Sequence, residues 1–200
     1  MVAIERSAFT GAARGYTAVE VLMAMTVMAI GAAGVMSMQK ASVQGNLDAR
    51  KADVANSIAR TWVERIQRDA MQWTAPGPTT GTVSNIATAA ILANAIAGGG
   101  GNWVFPNQYI GNNPPFSPAF DILGRDLATA DLGKAVFCVN IRVTWLTANE
   151  LLRADVRVLW PRGITGAAPN GWCTASLGNR PSPLTYHSIY VTTAVRGNPQ

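Results

Sequence analysis

The sequence predicts an α+β fold: a long N-terminal helix laid on a small antiparallel sheet of three or more strands. Three observations carry that prediction. No proline falls between Thr17 and Trp73, and apolar residues recur at helical spacing along the second half of that stretch. Three later segments alternate apolar and polar residues with the period of half-buried strands. The stretch between helix and strands is rich in proline, glycine and asparagine, so it reads as connection rather than core.

Composition fits one compact domain with an appendage. Of the 200 residues, 48% are hydrophobic and 14% charged, which is apolar enough to bury a core and too apolar for disorder. The net charge of +5 is spread along the chain without a Lys/Arg block, so nucleic-acid binding is not indicated. Cys138, Cys173 and the single histidine, His187, are too few for a Cys/His metal site. The sequence contains no P-loop, no G-x-S-x-G and no metal-ligand spacing. Neither an enzyme nor a cofactor is expected.

Residues Val21 to Gln39 carry no charge. As a helix they span roughly 28 Å, about the thickness of a bilayer's hydrocarbon core. Arg6 and Arg14 precede them and Lys40 follows. The leader's positive charges hold it on the cytoplasmic side. An ordinary secretory signal has a shorter apolar run, and here the small-residue cleavage candidates, Gly31 to Gly34, fall inside the run. Glu20 stands at the start of the span, where a carboxylate costs free energy unless it finds a partner.

The run Arg14-Gly15-Tyr16-Thr17-Ala18-Val19-Glu20, continued by VLMAMTVMAIG, resembles the class III signal peptide of type IV prepilins. The resemblance implies a type IV pilin fold and a leader cut after Gly15 by a prepilin peptidase. Tyr16 then becomes the methylated first mature residue, where most family members have Phe. Glu20 becomes the fifth and pairs with a neighbouring subunit's N-terminal amine, each charge offsetting the other's desolvation. The spacing of Ile30-Gly31, Gly34 and Gln39 is similar to the minor pilins called PilV, the type IV pilus modification proteins. Pseudopilins of type II secretion share the Glu-Val-Leu start. Gly31 and Gly34 permit close helix packing in the membrane, or loosen the helix on assembly, since glycine weakens a helix by about 1 kcal/mol.

On this reading residues 1–15 are a leader, 16–39 the transmembrane half of the helix and 40–74 its amphipathic half. Residues 75–133 connect helix to sheet, and 134–200 form the sheet. In the amphipathic half, Val43, Leu47, Val54, Ile58, Trp62, Ile66 and Trp73 share one face that packs on the sheet. Arg60-Glu64, Glu64-Arg68 and Arg65-Asp69 are opposite charges four apart, as on an exposed flank. Pro76-Gly77-Pro78 ends the helix. In the connection, Ile86 to Ala97 reads as a short apolar helix closed by Gly98 to Gly101. Asp121, Asp126 and Asp131 match no calcium loop and read as turn or cap residues.

The strands are Lys134 to Leu146, Leu151 to Trp160 and Tyr186 to Arg196, the first two joined as a hairpin across Thr147 to Glu150. Phe137, Val139, Ile141, Val143 and Trp145 face the core; Cys138, Asn140, Arg142 and Thr144 face away. His187 reads as a surface or partly buried strand residue. Cys138 and Cys173 pair once the domain is exported, closing a loop of 35 residues, which contributes about 3 to 4 kcal/mol in the chain-entropy treatment.

The function expected from the resemblance is that of a minor pilin that helps start and support pilus assembly. Its expected partners are the major pilin, other minor pilins, a tip adhesin, the prepilin peptidase and the inner membrane. It would begin with its domain in the periplasm and end on the extracellular pilus, at or near the tip. Two alternatives stand beside it. One is a minor pseudopilin of a type II secretion system. The other is a DNA-uptake or adhesion pilin that binds through Arg142, Arg153, Arg157, Arg162 and Arg180.

Overall fold

The computed structural model describes residues 15–74, 85–106, 117–162, 173 and 181–198. The leader's first 14 residues, Pro76-Gly77-Pro78 and Arg180 lie outside them. The chain is α+β. Helix α1 (Ala18–Ala70) is followed by a 3-10 turn (Ile86–Thr88) and α2 (Ala90–Ala97). Then come strand β1 (Ala119–Phe120), a second 3-10 turn (Thr129–Lys134), and strands β2 (Phe137–Thr147), β3 (Leu151–Pro161) and β4 (Tyr186–Arg196). The four strands form one antiparallel sheet in the order β1-β2-β3-β4.

The chain divides into two units, residues up to Asn46 and residues from Leu47 onward. In the first unit every described residue but Gln44 is exposed, Val43 among them at 58%. In the second unit α1 contributes Ala55, Ile58, Ala59, Trp62, Ile66 and Ala70 to the core, opposite Val139, Ile141, Val156 and Val158 of the sheet. These α1 positions repeat every three or four residues, so they form one stripe against the sheet. Two residues expected on that stripe, Val43 and Leu47, are exposed instead, because burial on α1 becomes continuous only near Ala55.

The helix also ends earlier than its prolines require. It stops at Ala70, and Met71, Gln72 and Trp73 donate to the carbonyls three residues back. Asn198 completes the end: its Nδ2 donates to the Met71 carbonyl at 2.9 Å and its backbone N–H to that of Trp73 at 2.9 Å. Trp73 lies beyond the helix yet is buried, edge-on to Trp145 at 5.6 Å.

Charge was expected on α1's outer flank, and for Arg60, Glu64 and Arg68 that holds. Arg65 and Asp69 differ. Both are buried and turn toward the connection rather than toward each other. Arg65 forks onto Asp126 at 2.9 and 2.7 Å, with its guanidinium 5.1 Å from the Trp62 ring centre. Asp69 Oδ2 accepts the Leu92 N–H at 3.0 Å, at the start of α2. The residue before α2 is Ala89, which has no side-chain acceptor, so Asp69 supplies the cap from α1.

The hairpin and the third strand form as the alternation predicts. Asn149 takes φ +62° in the turn, a conformation asparagine tolerates better than most residues. The second sheet face departs from expectation. Cys138 and Asn140, expected to face away from the core, are buried, and so are their β3 neighbours Asp155, Arg157 and Leu159. The segment through Trp103 and Phe105, together with Cys173, covers that face. β1, which the sequence did not signal, pairs with the start of β2, and Val104 bridges to Ile141 in both directions. Gly101 donates its N–H to the Val143 carbonyl from φ +91°, a backbone conformation that favours glycine.

Candidate membrane and assembly segment

The segment begins at Gly15 and Tyr16, both exposed and just ahead of α1. Thr17 starts the helix. Its Oγ1 accepts the Glu20 N–H at 3.3 Å, and its carbonyl takes the N–H groups of Glu20 and Val21. Thr17 and Glu20 thus have the spacing of a capping box, with the carboxylate in the first turn, where the helix dipole favours it. The sequence reading assigned Glu20 only to a partner chain. Its local role in starting α1 was visible in the T-x-x-E pattern and was missed.

Beyond Glu20 the helix is long and apolar enough to cross a membrane, and none of its most apolar window is buried. Its hydroxyl groups are satisfied within the helix. Thr26 Oγ1 donates to the Met23 carbonyl at 2.8 Å and Ser37 Oγ to the Gly34 carbonyl at 2.7 Å. In hydrocarbon, where no water replaces a lost hydrogen bond, that arrangement leaves neither donor stranded. Gly31 and Gly34 sit within continuous helix, with no non-local atom within 4 Å of where a Cβ would stand. Together these features describe an apolar helix of spanning length that carries a single acidic residue at its first turn.

The other singled-out residues are dispersed. Cys138 and Cys173 form a disulfide, with Cα atoms 5.5 Å apart, in a small apolar cluster with Ala119, Ala135 and Leu159. Asp121 Oδ1 accepts the N–H groups of Leu123 and Arg125 in its own turn, Asp126 holds Arg65, and Asp131 pairs with Lys134. Among the described residues no three His, Cys, Asp or Glu side chains gather as a metal site. His187 is part-buried and stacked on Trp160 at 5.3 Å. Burial, then Arg162 and Lys51, push its pKa down, opposed by Asp48.

Arg142, Arg153 and Arg157 are tied into the sheet rather than left as an open patch. Register sets Arg142, Asp155 and Thr192 in one cross-strand row. Asp155 accepts from Arg142 at 2.8 Å, Arg153 at 2.9 Å and Thr192 Oγ1 at 2.7 Å. Burial raises its pKa, but those three hydrogen bonds outweigh burial and leave it below the usual carboxylate value. The neighbouring row is Asn140, Arg157 and Tyr190. Arg157 is fully buried, its guanidinium 4.3 Å from the Trp103 ring centre and bonded to Asn140 Oδ1 at 2.9 Å. A buried guanidinium cannot meet a phosphate backbone, and two of the others are held by Asp155. No family profile, no curated protein and no solved structure matches this chain.

Proposed function

We propose that the chain is a minor pilin, inserted first in the inner membrane with its domain in the periplasm, then drawn into a type IV pilus at or near the tip. The observation that carries this reading is α1 itself. One 53-residue helix is fully exposed and apolar at its start and forms the domain's core stripe at its end. A removable signal has no reason to continue as a core helix, and a simple anchor has no reason to place Glu20 in its first apolar turn. An assembly element needs both: an apolar surface that lipid covers first and neighbouring helices later, and a charge that only a partner in the filament neutralises. The partners on this reading are the major pilin, other minor pilins and a tip adhesin, with the leader removed after Gly15 by a prepilin peptidase.

Mass spectrometry of purified pili is expected to find the chain starting at methylated Tyr16, at low copy relative to the major subunit. Glu20→Ala is expected to leave leader cleavage and membrane insertion intact while removing the protein from sheared pili. Normal incorporation of that variant would overturn the role given to Glu20.

A further inference from the structure

The two edges of the sheet are treated differently. On the β2 side the edge is covered from Phe137 to Val143: Gly101 donates to Val143, Val104 exchanges two bonds with Ile141, and Val139 donates to Pro118 beside β1. On the other side stands β4, 11 residues long, paired with β3 without a register break. The preceding turn holds Tyr186, whose N–H donates to the Ser182 carbonyl at 3.0 Å; beyond it, among the described residues, no strand pairs with the outer edge. β4 contains no proline, lysine or bulge, the devices by which exposed edges are usually blunted.

The core is also less closed along β4. Ile189 and Val191 are only part-buried, whereas their cross-strand mates Val158 and Val156 are fully buried. A further strand would cover the open flanks of both. Near the strand's end a cleft of about 210 Å³ lies between α1 and β4, lined by Gln67, Met71, Ala194, Arg196 and Asn198 among others, with no carboxylate. Met71 is 67% exposed there. The strand itself carries Arg196 and no acidic residue.

We propose that β4 is a docking edge for an extended segment of another protein chain, which adds as a fifth, antiparallel strand with apolar residues toward α1 and a carboxylate near Arg196. Main-chain bonds would supply affinity, and the cleft and Arg196 would supply selectivity. A second copy's β4 does not fit. Antiparallel pairing of β4 with itself needs a two-fold axis normal to the sheet, which reverses α1, and two helices entering one membrane from the same side cannot point opposite ways. That exclusion rests on the membrane insertion proposed above; the edge itself does not.

The test uses the full chain in detergent micelles and the peptide acetyl-Asp-Val-Thr-Val-Thr-Val-Ser-amide. Amide hydrogen exchange is expected to show alternate β4 amides open in the free protein and slowed about tenfold or more on adding peptide. Peptide N-methylated at alternate residues on one edge should lose this effect, while methylation on the other edge should leave it. Arg196→Glu should weaken peptide binding about threefold, as for an exposed ion pair. The proposal fails if the β4 amides are already slow in the free chain, if saturating peptide leaves them open, if both methylated peptides behave alike, or if the protein dimerises through β4. None of these results bears on Tyr16 processing or Glu20, so the pilus reading stands or falls separately.

Discussion

Asp69 shows how much a single side chain on α1 organises. Burial raises its pKa above the ordinary carboxylate value, although the N–H groups of Leu92, Ile91 and Ala90 pull the other way. The carboxylate nonetheless caps the start of α2, where Ala89 offers no side-chain acceptor. Asp69→Ala is expected to cost about 2 kcal/mol, the range for stranding buried donors and losing a cap, read by denaturant unfolding in detergent. Because the folded pKa is raised, the ionised form opposes folding slightly, so acid does not destabilise the domain through this residue. His187 acts in the opposite direction. Its folded pKa is depressed, so the unfolded chain binds the proton more readily. Stability is therefore expected to fall as pH drops below about 6.5, the ordinary imidazole value, and His187→Gln should flatten that part of a melting-temperature profile between pH 7.5 and 5.5. A slope unchanged by the substitution would assign the effect elsewhere.

Among the elements, β3 departs furthest from its pattern. Its alternation reads as one wet face and one dry, yet it is buried on both except near Leu151 and Arg153. The central position of β3, with β2 and β4 on its sides and the Trp103 segment and Cys173 over the second face, explains this. The disulfide holds that covering layer to β2. Cys138→Ser with Cys173→Ser, or reduction of the native chain, is expected to lower stability by about 3 to 4 kcal/mol, from the lost restriction on a 35-residue loop. Unfolding curves with and without reductant measure it, and coincident curves would show that packing alone holds the layer.

The molecule as a whole joins two kinds of surface in one chain. From Leu47 onward it has a core flanked by the ion pairs of Arg65 with Asp126 and of Arg142 and Arg153 with Asp155. Up to Asn46 it has an apolar helix that no described residue covers. So long an apolar surface is poorly suited to water, and by length and composition it is that of a membrane anchor or a signal sequence. The whole-molecule prediction is that the full chain partitions into membranes and is released by detergent but not by salt or high pH. Release by salt would mean the helix is not inserted.

Sequence by itself determined the elements whose signal is local. The uncharged run of Val21 to Gln39 marks an apolar helix of spanning length, alternation fixes β2, β3 and β4, and the two cysteines were enough to name the disulfide. The resemblance around Gly15, Tyr16 and Glu20 supplied the function proposed here, and no fold comparison adds to it. What the tertiary structure alone decided depends on residues far apart in the chain. Arg65 and Asp69 look like a surface pair because they are four apart, but they separate because each meets a partner in the connection, Asp126 or the start of α2. Arg142, Arg153 and Arg157 look like a basic strip because strand alternation says nothing of what lies over a face. Trp103 and Asp155 close that face, and their positions follow from register and packing, which no window of sequence contains.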